Sequence, residues 1–183
     1  PWTAYAAKTV PLLRPFVEGG GQVVIEPGRT ISAAAGALLC RVLYVKTGGR
    51  KTFVIVDTGM HQLIRTTLYE AYHFIWPTRV APAHVPARRS AAMESPGLEP
   101  YDVVGPICES ADYLAKDRLL PPVARGDLLC VFTAGAYGMV MASQYNAMPR
   151  PPEVLVAGET ATVIRRRETY ADLDAAEARV YPI

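Results

Sequence analysis

Cysteine is scarce in this chain: Cys40, Cys108 and Cys130 are widely spaced, and no C-x-x-C pair occurs. An odd, scattered set excludes a disulfide framework and a four-cysteine zinc site, and it fits a reducing compartment such as the cytoplasm. The three histidines, His61, His73 and His84, do not make up the deficit, because none has metal-ligand spacing. An excess of one charge is also missing. Lys plus Arg is 19 against 17 Asp plus Glu, a net of +2, which argues against a bulk electrostatic nucleic-acid binder. No apolar run reaches the ~18 residues that span a bilayer, and no signal-peptide pattern is present. What remains is core-forming material. Of 183 residues 50% are hydrophobic and 20% charged, enough for one buried core without staples.

The pattern along the chain predicts a mainly β protein. A short helix within Thr3–Val17, interrupted by Pro11 and Pro15, is followed by a turn. After Gly19–Gly21, the Val-Val-Ile of Gln22–Glu26 reads as a buried strand ended by Pro27 and Gly28. Ile31–Ala37 reads as helix and Leu38–Lys46 as a strand. Thr47–Arg50 is a hairpin turn into the returning strand Lys51–Asp57. His61–Tyr69 has helical spacing. Thr78–Glu99, rich in Pro, Ala and Arg, reads as a loop insertion. Arg88 and Arg89 within it suit solvated charges, or an anion site. Strands are expected again at Asp102–Ile107, Asp127–Thr133 and Tyr137–Ser143. A hairpin pair at Glu153–Ala157 and Thr160–Arg167 precedes a helix at Thr169–Arg179.

Four clusters could carry chemistry. Glu26-Pro27-Gly28-Arg29 ends an expected strand, where a carboxylate and a guanidinium could hold a cation and a phosphate; a turn with a surface ion pair suits the same residues. Arg65 and Tyr69 share a helix face and offer donors that fit a carboxylate, or they belong to an ordinary amphipathic helix. Cys108-Glu109-Ser110 sets a thiol beside a carboxylate, or is a loop that happens to contain cysteine. Ala134-Gly135-Ala136-Tyr137-Gly138 would let backbone approach a ligand closely, or it is a plain turn.

Taken in order, EPGR, VDTGMHQLIRTTLYEAYH, VVGPICESAD and TAGAYG resemble the C-terminal half of diaminopimelate decarboxylase, in the alanine-racemase-like class of pyridoxal-phosphate decarboxylases. ASQYNAMPRPPEVLV is similar as well. Ornithine and arginine decarboxylases share EPGR-like and CES-like motifs, but their counterparts of the Arg65/Tyr69 segment read differently. The resemblance implies a mainly β C-terminal barrel or sandwich domain over residues 37–183, with 78–99 as an inserted loop. Residues 1–36 would be a remnant of the last α/β-barrel unit, exposing apolar Val23, Val24 and Ile25. It implies pyridoxal 5'-phosphate as cofactor, with Glu26 at its pyridine nitrogen and Arg29 at its phosphate and the substrate. Pro27 and Gly28 would shape the backbone there, and Tyr137 would contact cofactor and substrate. Arg65 and Tyr69 would grip one end of the substrate, Glu109 an amino group of it, and Cys108 would reprotonate the α-carbon. In the resembled family Cys108 and Glu109 serve the neighbouring subunit, which implies a homodimer with shared sites. No metal is implied.

One element of that family has no match. Its Schiff-base lysine lies in an N-terminal barrel, and none of Lys8, Lys46, Lys51 and Lys116 stands in a comparable context. The expectation is a cytoplasmic decarboxylase of lysine biosynthesis of which this chain is one part, inactive by itself without that lysine. A non-catalytic dimerisation or binding module, and a related decarboxylase acting on carboxynorspermidine or arginine, are the alternatives.

Overall fold

The computed structural model describes residues 2–177. Helix α1 (Trp2–Glu18) runs through both Pro11 and Pro15 and buries no residue. The sequence predicted a break there. Each proline removes one ladder bond, but on a helix exposed all round the freed carbonyls face water. Gln22–Glu26 is extended yet belongs to no sheet. Strand propensity alone does not make a strand: no neighbouring strand pairs with it, and Val24 and Ile25 stay exposed. A short helix, α2 (Gly28–Ser32), follows and continues into a 3₁₀ turn at Ala33–Ala35.

The body of the fold is a six-stranded sheet. Strands β1 (Leu38–Gly48) and β2 (Lys51–Val56) form the expected hairpin, with Gly48 opposite Lys51 and Gly49 at a positive φ of 61°. Helix α3 (Arg65–Tyr69) is shorter than predicted, because His61 and Gln62 lie in a turn closed by the Gly59 carbonyl. Then come β3 (Ile75–Pro77), β4 (Glu99–Val104), β5 (Tyr113–Leu120) and β6 (Leu128–Val131). Spatial order is β3-β6-β1-β2-β4-β5. All pairs are antiparallel except β2 with β4, where Phe53 faces Asp102 and Ile55 faces Val104. The two end strands approach each other, and the Arg118 guanidinium on β5 donates to the His73 carbonyl just before β3 at 2.6 Å. The sheet is thus nearly closed into a barrel.

Inside it lies the core. Alternate residues of the strands point inward: Cys40 and Val42, Val54 and Val56, Tyr101 and Val103, Leu129 and Val131. Phe74 and Trp76 stack with ring centroids 5.4 Å apart and close the β3 side. β3 and β5 were not predicted. β3 is three residues long, and Pro77 sits on an edge strand, where a missing donor costs no ladder bond. In β5, Lys116-Asp117-Arg118 interrupts the apolar alternation. Asp117 takes a positive φ of 48°, and its N–H donates to Asp102 at 2.7 Å while Lys51 spans both carboxylates.

The predicted strand at Tyr137–Ser143 does not form. Thr133 and Tyr137 have φ values of 62° and 57°, which turns the chain out of the sheet, and Met139–Met141 is a 3₁₀ turn. The tail carries a separate hairpin, β7 (Glu153–Ala157) with β8 (Thr160–Arg165), as expected. Its base is tied by Glu168, which accepts from Arg150 Nε at 2.8 Å. Those hydrogen bonds hold the Glu168 carboxyl down at about 2. Helix α4 (Tyr170–Asp174) starts at a capping box of Thr169 and Asp172; the predicted extension to Arg179 lies partly outside the described residues.

Two histidines are sealed in. His61 and His73 are essentially unexposed, and burial pushes both below the ordinary 6.5. For His73 the nearby Arg65 and Arg118 guanidiniums add to the depression; for His61, Asp112 opposes it. Both are therefore held neutral in the fold, while the unfolded chain takes up protons below 6.5. Stability from this source is complete above the unfolded value and is lost as pH falls through 6.5 toward the lowered folded values. The urea midpoint should drop between pH 7.5 and 5, before Glu168 and Asp172 titrate, and His73→Gln should flatten part of that slope. A midpoint constant over this range would show that the histidines are not held neutral.

Candidate functional site

Strand direction gathers the four clusters at one end of the sheet. Leu38, the first residue of β1, faces Val131, the last of β6, and Val42 faces Val56, the last of β2. Because β2 and β4 run parallel, β4 also ends there. Glu26–Arg29 precedes the start of β1, and α3 follows the end of β2. Cys108-Glu109 follows the end of β4, and Ala134–Gly138 the end of β6. The insertion 78–99 leaves from the opposite end, but it folds back. Trp76 Nε1 donates to the His84 carbonyl at 3.0 Å, Tyr72 donates to the Ser90 carbonyl at 3.1 Å, and Arg89 lies 4.6 Å from the centre of the Phe132 ring.

At the first cluster, the Pro27 carbonyl accepts from Thr30 and Ile31 N–H and opens α2. The turn after α2 packs against the glycine-rich turn after β6: Ala134 N–H donates to Gly36 at 2.8 Å and Gly135 N–H to Ala33 at 3.1 Å. A β-carbon on Gly135 would collide with the Ser32 carbonyl, so glycine is required for this approach. Glu26 before α2, Arg29 within it and Tyr137 on the turn after β6 stand exposed, and none has a side-chain hydrogen bond or ion pair among the described residues.

Arg65 and Tyr137 are brought together, with the guanidinium 5.8 Å from the ring centre. Arg65 Nε is buried and has no hydrogen-bond partner among the described residues. A buried donor without an acceptor is costly. Tyr69, the other expected member of the pair, points to solvent and is 62% exposed. Glu109 accepts from Ala111 N–H at 3.2 Å, and the Tyr145 hydroxyl donates to its other oxygen at 3.5 Å. Cys108 is exposed. Sequence reasoning gave no role to Tyr145, which sits in a 3₁₀ turn at Tyr145–Ala147, although it lay within the quoted ASQYNAMPRPPEVLV. It also missed Asp112, although that residue lay within the quoted VVGPICESAD.

The lysines stand elsewhere. Lys8 is on exposed α1, Lys46 is exposed, Lys51 pairs with Asp102 and Asp117, and Lys116 lies over the Tyr113 ring.

Fold and site define a pyridoxal-dependent decarboxylase module. Residues 21–135 match the C-terminal sheet domain of the pyridoxal-dependent decarboxylases, and the chain belongs to that family. Within it, curated relatives at 38–51% identity carry the name diaminopimelate decarboxylase. The relative of that name from Archaeoglobus fulgidus is 51% identical over 152 residues, covering 83% of this chain and 33% of its own length. A crystal structure from Aquifex aeolicus superposes with a TM-score of 0.81 at 39% identity, over 93% of this chain and 39% of that one. Diaminopimelate decarboxylase from Helicobacter pylori, complexed with L-lysine, gives 0.73 at 39% identity, over 86% of this chain and 35% of its own. The chain thus spans about a third of the length of the curated relatives it matches.

Family membership implies pyridoxal phosphate, and the residues here fit it. The carboxylate of Glu26, the guanidinium of Arg29 and the Tyr137 hydroxyl, none with a side-chain hydrogen bond among the described residues, are the kinds of acceptor and donor that such a group needs.

The three thiols differ in a way that can be read chemically. Burial pushes the Cys40 thiol well above the ordinary thiol range and raises that of half-buried Cys130, while Cys108 is exposed. Since the thiolate is the nucleophile, iodoacetamide at pH 8 should label Cys108 in the native protein, and Cys40 and Cys130 only after unfolding. Peptide mass spectrometry would read this; equal labelling of all three would overturn the assignment of the site loop as open.

Proposed function

We propose that this chain is the substrate-facing part of a pyridoxal-phosphate-dependent decarboxylase that converts meso-2,6-diaminopimelate to L-lysine and CO2, the last step of lysine biosynthesis. The observation that carries the reading is the placement of the four motifs at one sheet end, with Arg65 beside Tyr137 and its buried Nε without a hydrogen-bond partner among the described residues. Residues 1–36 are read as the last unit of an α/β barrel, and 37–183 as the β-rich domain carrying the 78–99 insertion. The working enzyme is read as a cytoplasmic homodimer whose sites are shared, Cys108 and Glu109 serving the neighbouring subunit. The Schiff-base lysine then comes from outside this chain.

In that assembly Glu26 would sit at the cofactor's pyridine nitrogen, Arg29 at its phosphate and the substrate, and Tyr137 would contact cofactor and substrate; the group would supply an electron sink for the decarboxylation. Pro27 and Gly28 keep side chains out of its way. The chain's own residues do the rest. Arg65 holds the carboxylate at the far end of the substrate, and the Glu109 carboxylate, presented to the neighbouring subunit's site, accepts from the ammonium of the substrate bound there. A substrate lacking that distal group would leave both charges unpaired, which is how an amino acid with two identical ends is told from a simpler one. The Cys108 thiol delivers one proton to the α-carbon, completing the exchange of CO2 for H.

Joined to the N-terminal two thirds of the Archaeoglobus fulgidus relative and supplied with pyridoxal phosphate, the chain should turn over meso-diaminopimelate. Its kcat/KM should exceed that for arginine or carboxynorspermidine by at least about 100-fold. Arg65→Ala should cost about 100-fold in kcat/KM, since it removes a charge-assisted contact. Preference for either competitor would overturn the substrate, and an unchanged Arg65→Ala enzyme would remove that residue from the site.

A further inference from the structure

The loop that presents Cys108 and Glu109 is wound around a carboxylate that the proposed chemistry does not use. Asp112 is 5% exposed. One of its carboxylate oxygens accepts from Ile107 N–H at 2.7 Å, inside the loop, and the other from Met60 N–H at 2.6 Å, in the turn between β2 and α3. Its own N–H donates to the Glu109 carbonyl at 3.0 Å, and its carbonyl accepts from Gly105 N–H at 3.1 Å. No ion pair neutralises it among the described residues. Two glycines make room for it: a β-carbon on Gly59 or on Gly105 would collide with the carboxylate. The same loop is fastened to α3 by hydroxyls. Thr66 donates to the Tyr113 carbonyl and Thr67 to the Ala111 carbonyl, each at 2.7 Å.

By contrast, the residues on the outside of the loop are weakly held. Cys108, Glu109 and Ser110 are all exposed, and the side-chain bonds of Glu109 are at 3.2 and 3.5 Å. Their position is decided from beneath. We infer that Asp112 is the positioning residue of this loop: it fixes how the Cys108 thiol and the Glu109 carboxylate are presented at the sheet end, by tying their loop to the turn that leads into α3. What those groups then do rests on the function proposed above; the tie itself does not.

Only a carboxylate meets both demands. Asparagine offers one acceptor oxygen and would turn an N–H toward one of two N–H donors, and glutamate is longer in a space already limited by two glycines. Hydrogen exchange followed by NMR on the intact chain tests the tie without any mutation. Met60 and Ile107 amides lie in turns, yet should exchange at least about tenfold more slowly than the amide of exposed Ser110. In Asp112→Asn both should speed up by about tenfold while Leu129 and Cys130 amides in β6 keep their rates. If Met60 and Ile107 exchange as fast as Ser110 in the unaltered chain, or do not respond to Asp112→Asn, the inference is overturned. In the joined enzyme the same variant should keep its cofactor absorbance, lose about tenfold in kcat, and lose part of its preference for diaminopimelate over arginine. Loosened amides with full turnover and unchanged preference would leave the tie standing and overturn the roles given to Cys108 and Glu109.

Discussion

The parallel pairing of β2 with β4 is the constraint on which the site depends. In an all-antiparallel meander, successive connections alternate between the two ends of a sheet. A parallel pair breaks the alternation, because both strands end on the same side and the chain between them must cross back over the fold. Here that crossing carries α3, β3 and the insertion, from Asp57 to Leu98. The segment after β2, with Arg65, and the segment after β4, with Cys108 and Glu109, are thereby placed side by side. Antiparallel pairing of β1 with both β2 and β6 then adds the start of β1 and the end of β6 to the same edge. Segments separated by more than a hundred residues in sequence meet for reasons of strand direction alone.

Once gathered, the loops at that end divide their work. Main-chain groups and buried side chains hold the loops in place: the Gly36–Gly135 approach, the Thr66 and Thr67 hydroxyls, and Asp112 with its two N–H donors. Most of the side chains suited to chemistry have no hydrogen-bond partner among the described residues; Glu109 alone accepts two bonds. Glu26, Arg29 and Tyr137 stand exposed, and Arg65 Nε has no acceptor. An unpaired charge does not stabilise a fold, so leaving several at one edge is a departure from local consistency of the kind that binding sites show. The near-closed sheet beneath supplies the rigidity that lets such groups stand at defined places.

How far the sequence could be read follows the range of the forces involved. The hairpins β1–β2 and β7–β8 were legible because a turn flanked by β-branched residues is a local signal. Residues 22–26 misled for the same reason: Val-Val-Ile has the local preference of a strand, but pairing needs a neighbour, and none is offered. Tyr137–Ser143 misled because apolar residues were read as strand where two left-handed residues turn the chain away. β5 went unread because its charged residues are satisfied by Lys51 and Asp102, which lie far off in sequence. At the site, Glu26, Arg29, Arg65, Cys108, Glu109 and Tyr137 stood in motifs. Asp112 was in the quoted text but without a role, since its partners Met60 and Gly59 belong to another segment.

By itself the sequence determined the β-rich class, the hairpins, the family resemblance and the identity of the groups able to do chemistry. These depend on residue type and on neighbours a few positions away, which is all that local sterics and hydrophobic alternation can encode. Only the tertiary structure decided which strands pair, that β2 and β4 run parallel, that Asp112 ties the cysteine loop to the distant Met60 turn, and that Arg65 lies half-buried beside Tyr137 while Tyr69 turns outward. Those are contacts between segments far apart in the chain, made when the apolar faces of the strands close on a common core, and no local preference specifies them.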